Sequence, residues 1–319
     1  MSAGSHAENA AVLLLAHGTP EAVEEVPDFL VKVTGGRPLP QQVVEEIKHR
    51  YSLIGRSPLT ELTMQQARLL AAELQRPVYV GMRNWKPFIG DAVRAMAADG
   101  VQRALAICLA PHDSRTSVGL YRKAVLDQAP PFAVEFIDNW HDHPLLARAF
   151  AEKLRPGWER ACKEMGARVP VIFTAHSVPQ RTIAEGDPYE EQAKETAALV
   201  ASQTPALAAD DWTFAFQSQG MSGGAWLGPT VEETILRLKA KGYGGVFIQP
   251  IGFLCDHVEV LYDVDIMFRE FAKQHGMRLW RAESLNDSPT LIAALADVAR
   301  SRMGSRQDAA TRMANSRAQ

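Results

Sequence analysis

The run VLLLAHGTP, residues 12–20, returns in altered wording as VIFTAHSVP, residues 171–179. Each is an apolar run that ends at an imidazole and leaves through a proline, and His17 and His176 stand about half the chain apart. An apolar run without polar alternation is the pattern of a strand covered on both faces. Six further runs read the same way: PVYVG (77–81), RALAICLA (103–110), FAVEFI (132–137), WTFAFQ (212–217), GGVFIQP (244–250) and MRLWRA (277–282). Longer amphipathic stretches such as ELTMQQARLLAAEL and GPTVEETILRLKAKG lie between them. Parallel strands need a crossover of a dozen or more residues, and these stretches supply it. We therefore expect an α/β fold of two similar Rossmann-like lobes, each a parallel sheet flanked by helices. The lobes are expected over 10–145 and 146–303, with a polar tail, 304–319, that frays.

In such sheets ligands sit beyond the carboxyl ends of the strands. His17, Pro111, His176 and Pro250 all fall there, so the expected site is the cleft between the lobes. A net charge of −3 gives no global reason to bind nucleic acid. No apolar run approaches the ~18–20 residues of a spanning helix. The opening MSAGSHAENA lacks the basic and long apolar segments of a signal peptide. Cys108, Cys162 and Cys255 are far apart and read as reduced thiols in a cytoplasmic protein. No phosphate-binding glycine loop of the GxGxxG or GxxxxGKS kind occurs.

The densest chemistry lies in PIGFLCDHVEVLYDVDI, residues 250–266. Glu259 and Asp263 are four apart and share a helix face, with Asp256 three before Glu259 and adjacent to it. A helix start enriched in acids explains Asp256 on its own. The apolar company of Phe253, Leu254, Val258 and Leu261 places Glu259 against a cleft instead. A carboxylate and an imidazole together can hold a divalent metal or move protons. Tyr121, Trp226, Phe253, Met221 and Trp85 could line a slot for a flat aromatic ligand. Arg50 and Arg56, with Tyr51 and Ser57, could meet its carboxylates, as could Arg83 and Arg115. Each residue singly is weak evidence: a lone histidine after a strand is more often a loop residue, and aromatics usually fill cores.

The motifs FTAHSVP, QSQG…WLGP and PIGFLCDHVEVLYDVD resemble those of the ferrochelatase family, which inserts ferrous iron into a porphyrin. RYSLIGRSPL, APHDSRTSVGLY and GDPYEEQ are similar to it too, and the resemblance runs from about Val12 to about Arg300. It implies that His176 and Glu259 handle metal and protons across the slot. Arg50, Tyr51, Ser57 and Tyr121 match porphyrin-contacting positions, with Trp226, Phe253, Asp256 and Asp263 lining or supporting the slot. His17 falls where soluble members often place a tyrosine that can ligate the product iron. Thr34 and Arg37 lie where relatives carry more arginine. The chain resembles the compact soluble bacterial form, and its arginine supply favours coproporphyrin III over protoporphyrin IX. Fe2+ enters as substrate, no organic cofactor is needed, and a monomer is expected with porphyrin and haem as its ligands. Two other classes remain: a carrier of tetrapyrroles without turnover, and a cobalt or nickel chelatase, which would tend to place a second histidine where Glu259 stands.

Overall fold

The computed structural model describes residues 9–219 and 224–316, with side chains through 303. The first lobe runs β1 (Ala10–Ala16), α1 (Val26–Val33), α2 (Gln41–Ile54), α3 (Leu59–Leu74), β2 (Val78–Met82), α4 (Ile89–Ala98), β3 (Arg103–Cys108), α5 (Val118–Leu126) and β4 (Ala133–Ile137). The second runs α6 (Pro144–Met165), β5 (Val171–His176), α7 (Gln180–Ala184), α8 (Tyr189–Ser202), β6 (Trp212–Gln217), α9 (Val231–Ala240) and β7 (Gly245–Pro250). It closes with α10 (Val258–Leu261), a π-helix (Asp263–Phe268), α11 (Arg269–Gln274), β8 (Arg278–Arg281) and α12 (Pro289–Ser316). Among the described residues the strands form two four-stranded parallel sheets, ordered β2-β1-β3-β4 and β6-β5-β7-β8. The second order is the first repeated, so the two histidine-ending runs become the matching strands β1 and β5, each flanked on both sides.

Every residue of β1 is buried, as its unbroken apolar run requires. The helices are started by local chemistry. Pro144 sits at the first position of α6, where its missing N–H costs nothing. At α9 the Thr230 hydroxyl accepts from Glu233 N–H at 3.1 Å while the Glu233 carboxylate accepts from Thr230 N–H at 2.9 Å.

The two lobes share one core. Val12 and Leu105 of the first sheet, Phe173 and Phe247 of the second, Phe150 of α6 and Leu295 of α12 belong to a single buried cluster. The outer faces have separate cores under α4 and α5 and under α9 and α11. A fourth cluster joins Phe29 and Leu30 of α1 to Tyr51 of α2 and to Trp85, which leaves α1 and α2 standing over the cleft. The segment expected to fray is helical as far as Ser316, as the continuation of α12. Residues 317–319 lie outside the described residues.

Candidate functional site

A cavity of about 660 Å³ opens between the lobes at the carboxyl ends of the strands. His17 follows β1 and His176 ends β5. The loop after β7 passes so close to β5 that a Cβ on Gly252 would lie 3.1 Å from the Ala175 Cα. Only glycine lets that loop carry Phe253, His257 and Glu259 down to the cavity floor. Gly18, directly after His17, takes a φ of +84°, and a Cβ there would lie 2.7 Å from the Trp85 backbone nitrogen.

Three imidazoles face the cavity in one fashion. His17 Nδ1 donates to the Gly18 carbonyl at 3.0 Å, His176 Nδ1 to the Ser177 carbonyl at 2.5 Å, and His257 Nδ1 to the Cys255 carbonyl at 2.9 Å. A carbonyl can only accept, so each Nδ1 carries a proton, and whenever a ring is neutral its lone pair is on Nε2. Glu259 Oε2 lies 3.9 Å from His176 Nε2 and 4.0 Å from His257 Nε2. These separations are too long for hydrogen bonds. Oε2 is buried and has no hydrogen-bond partner among the described residues. Burial pushes the Glu259 carboxyl up, yet the field of His176, His257, His17 and Arg50 outweighs it and holds the group below the usual carboxylate range.

The neighbouring acid behaves oppositely. Asp263 is buried, accepts from the Ser218 hydroxyl at 2.9 Å, and is raised to about 6 by burial and then by Glu259. Arg50 lies 3.7 Å from it, pairs with Glu46 and stands over the Tyr262 ring at 5.1 Å. On the first-lobe wall, burial lowers His17 to about 4, helped by the adjacent Arg83 guanidinium. His17 is reachable from the cavity although protein encloses it on the other sides, and its ring meets Phe29 edge-on at 5.9 Å. Arg83 stacks over Tyr121 at 5.2 Å, with its Nε buried and unpartnered among the described residues. Tyr51 shares a 3.1 Å hydrogen bond with Thr19, and burial pushes its hydroxyl up to about 12.

A family model described as Ferrochelatase matches residues 9–303. The chain belongs to the ferrochelatase family. It is 56% identical to a ferrochelatase of Acidobacterium capsulatum, covering 92% of this chain and 94% of that one. A ferrochelatase of Deinococcus radiodurans is 42% identical over 90% of this chain and 94% of its own length. A coproporphyrin III ferrochelatase of a Geobacillus species is 34% identical over 90% and 96%. Among solved structures, SirB from Bacillus subtilis with Fe3+ aligns over 94% of this chain and 98% of its own, with a TM-score of 0.58 at 12% identity. That likeness shows the shared two-lobed fold.

Within the ferrochelatase cleft most of the residues expected from sequence come together. His17, Arg50, Tyr51, Tyr121, His176, Trp226, Phe253, Glu259 and Asp263 all line the one cavity. Asp256 does not. It precedes His257, whose backbone is extended (φ −162°, ψ −177°), so the helical spacing to Glu259 does not apply and Asp256 turns to Arg281 instead. Ser57 is buried in the turn between α2 and α3 and is absent from the cavity lining. Arg56 is exposed and lies 3.7 Å from Glu21, while Arg115 pairs with Glu185 and donates to the Thr182 carbonyl at 3.1 Å. Met221 lies outside the described residues. His257 belongs to the dense acidic segment legible in the sequence, where it carried no role of its own; the structure brings it to the cavity. Its signal was its place two residues before Glu259 across a strand-to-helix turn, where an extended residue and a helical one can face the same gap.

Proposed function

We propose that this ferrochelatase inserts Fe2+ into coproporphyrin III, with His176 and Glu259 as the groups that handle metal and protons. The observation that carries the reading is the gap between Glu259 Oε2 and His176 Nε2: a buried, ionised carboxylate oxygen and an imidazole nitrogen face each other across 3.9 Å. Insertion removes two pyrrole protons and brings in a dication, with no change in oxidation state. A neutral imidazole Nε2 can accept a proton, and a carboxylate held ionised can meet the cation or take the second proton. Asp263, raised to about 6 and placed between Glu259 and Arg50, is suited to pass a proton outward at neutral pH. No set of three or more acidic, histidine or cysteine side chains among the described residues forms a metal-binding group.

The paired imidazole and carboxylate argue against a carrier without turnover. The carboxylate at 259 argues against a cobalt or nickel chelatase with a histidine there. Across the slot, His17 presents a neutral Nε2 and is the group placed to ligate the iron of bound product. Among the arginines singled out from sequence, Arg50 and Arg83 line the cavity and Arg56 and Arg115 do not. Recognition of four carboxylates therefore leans on Arg50, Arg83 and the hydroxyl groups of Thr116 and Ser117, which also line it. No described helix is long and apolar enough to cross a membrane. The test is the specificity constant with Fe2+ under anaerobic conditions for coproporphyrin III and protoporphyrin IX. We expect the former to be the better substrate. Equal or better use of protoporphyrin IX would overturn that preference and leave the chelatase reaction standing.

A further inference from the structure

The segment carrying His257, Glu259 and Asp263 leaves a loop, makes one turn of α10 and passes into the π-helix, where Met267 N–H bonds to the Tyr262 carbonyl at 2.9 Å. So short and irregular a segment does not fix its own direction. It also holds four carboxylates within ten residues, Asp256, Glu259, Asp263 and Asp265, which repel one another unless some are neutralised. The two outer acids meet at one guanidinium. Arg281, at the carboxyl end of β8, has a side chain only 12% exposed. Its Nε donates to Asp265 Oδ1 at 2.9 Å and its Nη2 to Asp265 Oδ2 at 2.8 Å. Its Nη1 reaches Asp256 Oδ1 at 3.3 Å and the Ala282 carbonyl at 2.9 Å. Asp256 is tied further by the Ser284 hydroxyl at 2.7 Å and Asn286 Nδ2 at 3.0 Å, and it donates its own N–H to Asn286 Oδ1 at 2.9 Å. The Asn286 carbonyl in turn accepts from Gln66 of α3 at 2.5 Å, which anchors the assembly to the first lobe.

We infer that Arg281 is a positioning residue for iron insertion: by joining Asp256 to Asp265 it sets the direction in which His257, Glu259 and Asp263 face the cleft. It is absent from the cavity lining, so it acts through these residues rather than on substrate. It also takes the outer two acids out of the electrostatics of the site and leaves the inner two to face the cavity. Arginine suits the task because its planar fork grips Asp265 with two donors while a third reaches Asp256. A lysine ammonium at this position has no such fork. The inference rests on the roles proposed above for Glu259 and His176.

The test uses the full chain with Arg281→Met, Arg281→Lys and Asp265→Asn, with folding followed by circular dichroism. Anaerobic turnover gives kcat and a separate KM for Fe2+ and for porphyrin, and fluorescence quenching gives porphyrin affinity. We expect kcat to fall and KM for Fe2+ to rise by about tenfold or more, as for the outer partners of metal-handling groups, with porphyrin affinity changed less than about twofold. Arg281→Lys should recover part of the loss. A folded Arg281→Met or Asp265→Asn protein with unchanged kcat and iron KM overturns the inference. So does a loss of porphyrin affinity in step with kcat, the mark of a general structural role. Should Arg281→Met fail to fold, Asp265→Asn, which keeps the Asp256 end of the clamp, decides the matter. Glu259→Gln, measured alongside, separates the two levels. Retained turnover there overturns the role of Glu259, whereas its loss beside an unimpaired Arg281→Met overturns only the positioning.

Discussion

The two lobes present the same residue in the same way and surround it differently. His17 and His176 each end a central parallel strand, and each points Nδ1–H at the carbonyl of the following residue. Across from His176 stands the Glu259 carboxylate; beside His17 stand the Arg83 guanidinium and the Phe29 ring. One lobe therefore offers an imidazole with an acid, suited to moving protons and meeting a cation. The other offers an imidazole held neutral, with a cation nearby. Repetition of a fold unit fixes where a side chain emerges. What that side chain can do is set by loops that the repetition does not copy.

The comparison breaks most readily by removing the acid side. His176→Ala and Glu259→Gln should each lower the rate of iron insertion by about 10²–10⁴-fold, the range for a lost general acid or base, with porphyrin binding largely kept. Near-normal turnover in either folded variant, read by anaerobic steady-state kinetics, sinks the assignment of chemistry to the second lobe. His17→Ala sharpens the contrast from the other side. Turnover should drop far less, while the optical and resonance spectra of the haem complex should change as a nitrogen ligand is lost. A loss of turnover equal to that of His176→Ala would make the two lobes chemically equivalent and end the comparison.

The smallest expected effect is on stability against pH. His17 titrates near 4 when folded, below its ordinary 6.5, so its contribution is present above pH 6.5 and is lost as pH falls through 4. Asp263 is raised from 3.8 to about 6, so its contribution is greatest below 3.8 and is lost as pH rises through 6. The two oppose each other between about pH 4 and 6. Asp263→Asn should therefore raise stability at pH 7.5 relative to wild type, by at most about 3 kcal/mol, and lose that advantage below pH 4. Thermal melts at pH 4, 6 and 7.5 check this, and an advantage that grows toward acid would reverse the sign assigned to Asp263.

The sequence by itself determined the layered α/β architecture, because eight short, mainly apolar runs separated by amphipathic stretches leave few other ways to bury their faces. It also determined the repeat and the strand-end placement of His17 and His176, since where a strand stops is a local matter of apolar run and turn chemistry. The spacing of Glu259 and Asp263 was legible for the same reason: both lie on one continuous stretch of backbone. Tertiary structure decided the rest. Asp256 read as a neighbour of Glu259 until the extended backbone at His257 broke the helical register and Arg281, from a distant strand, claimed it. Arg56 and Arg115 were equal to Arg50 as cations in the sequence, yet ion pairs and loop geometry left them off the cavity wall. The opposite titrations of Glu259 and Asp263 could not be read from their spacing. They follow from which charges the two lobes bring within a few ångströms, and such distances are fixed only when chain segments far apart in sequence pack together.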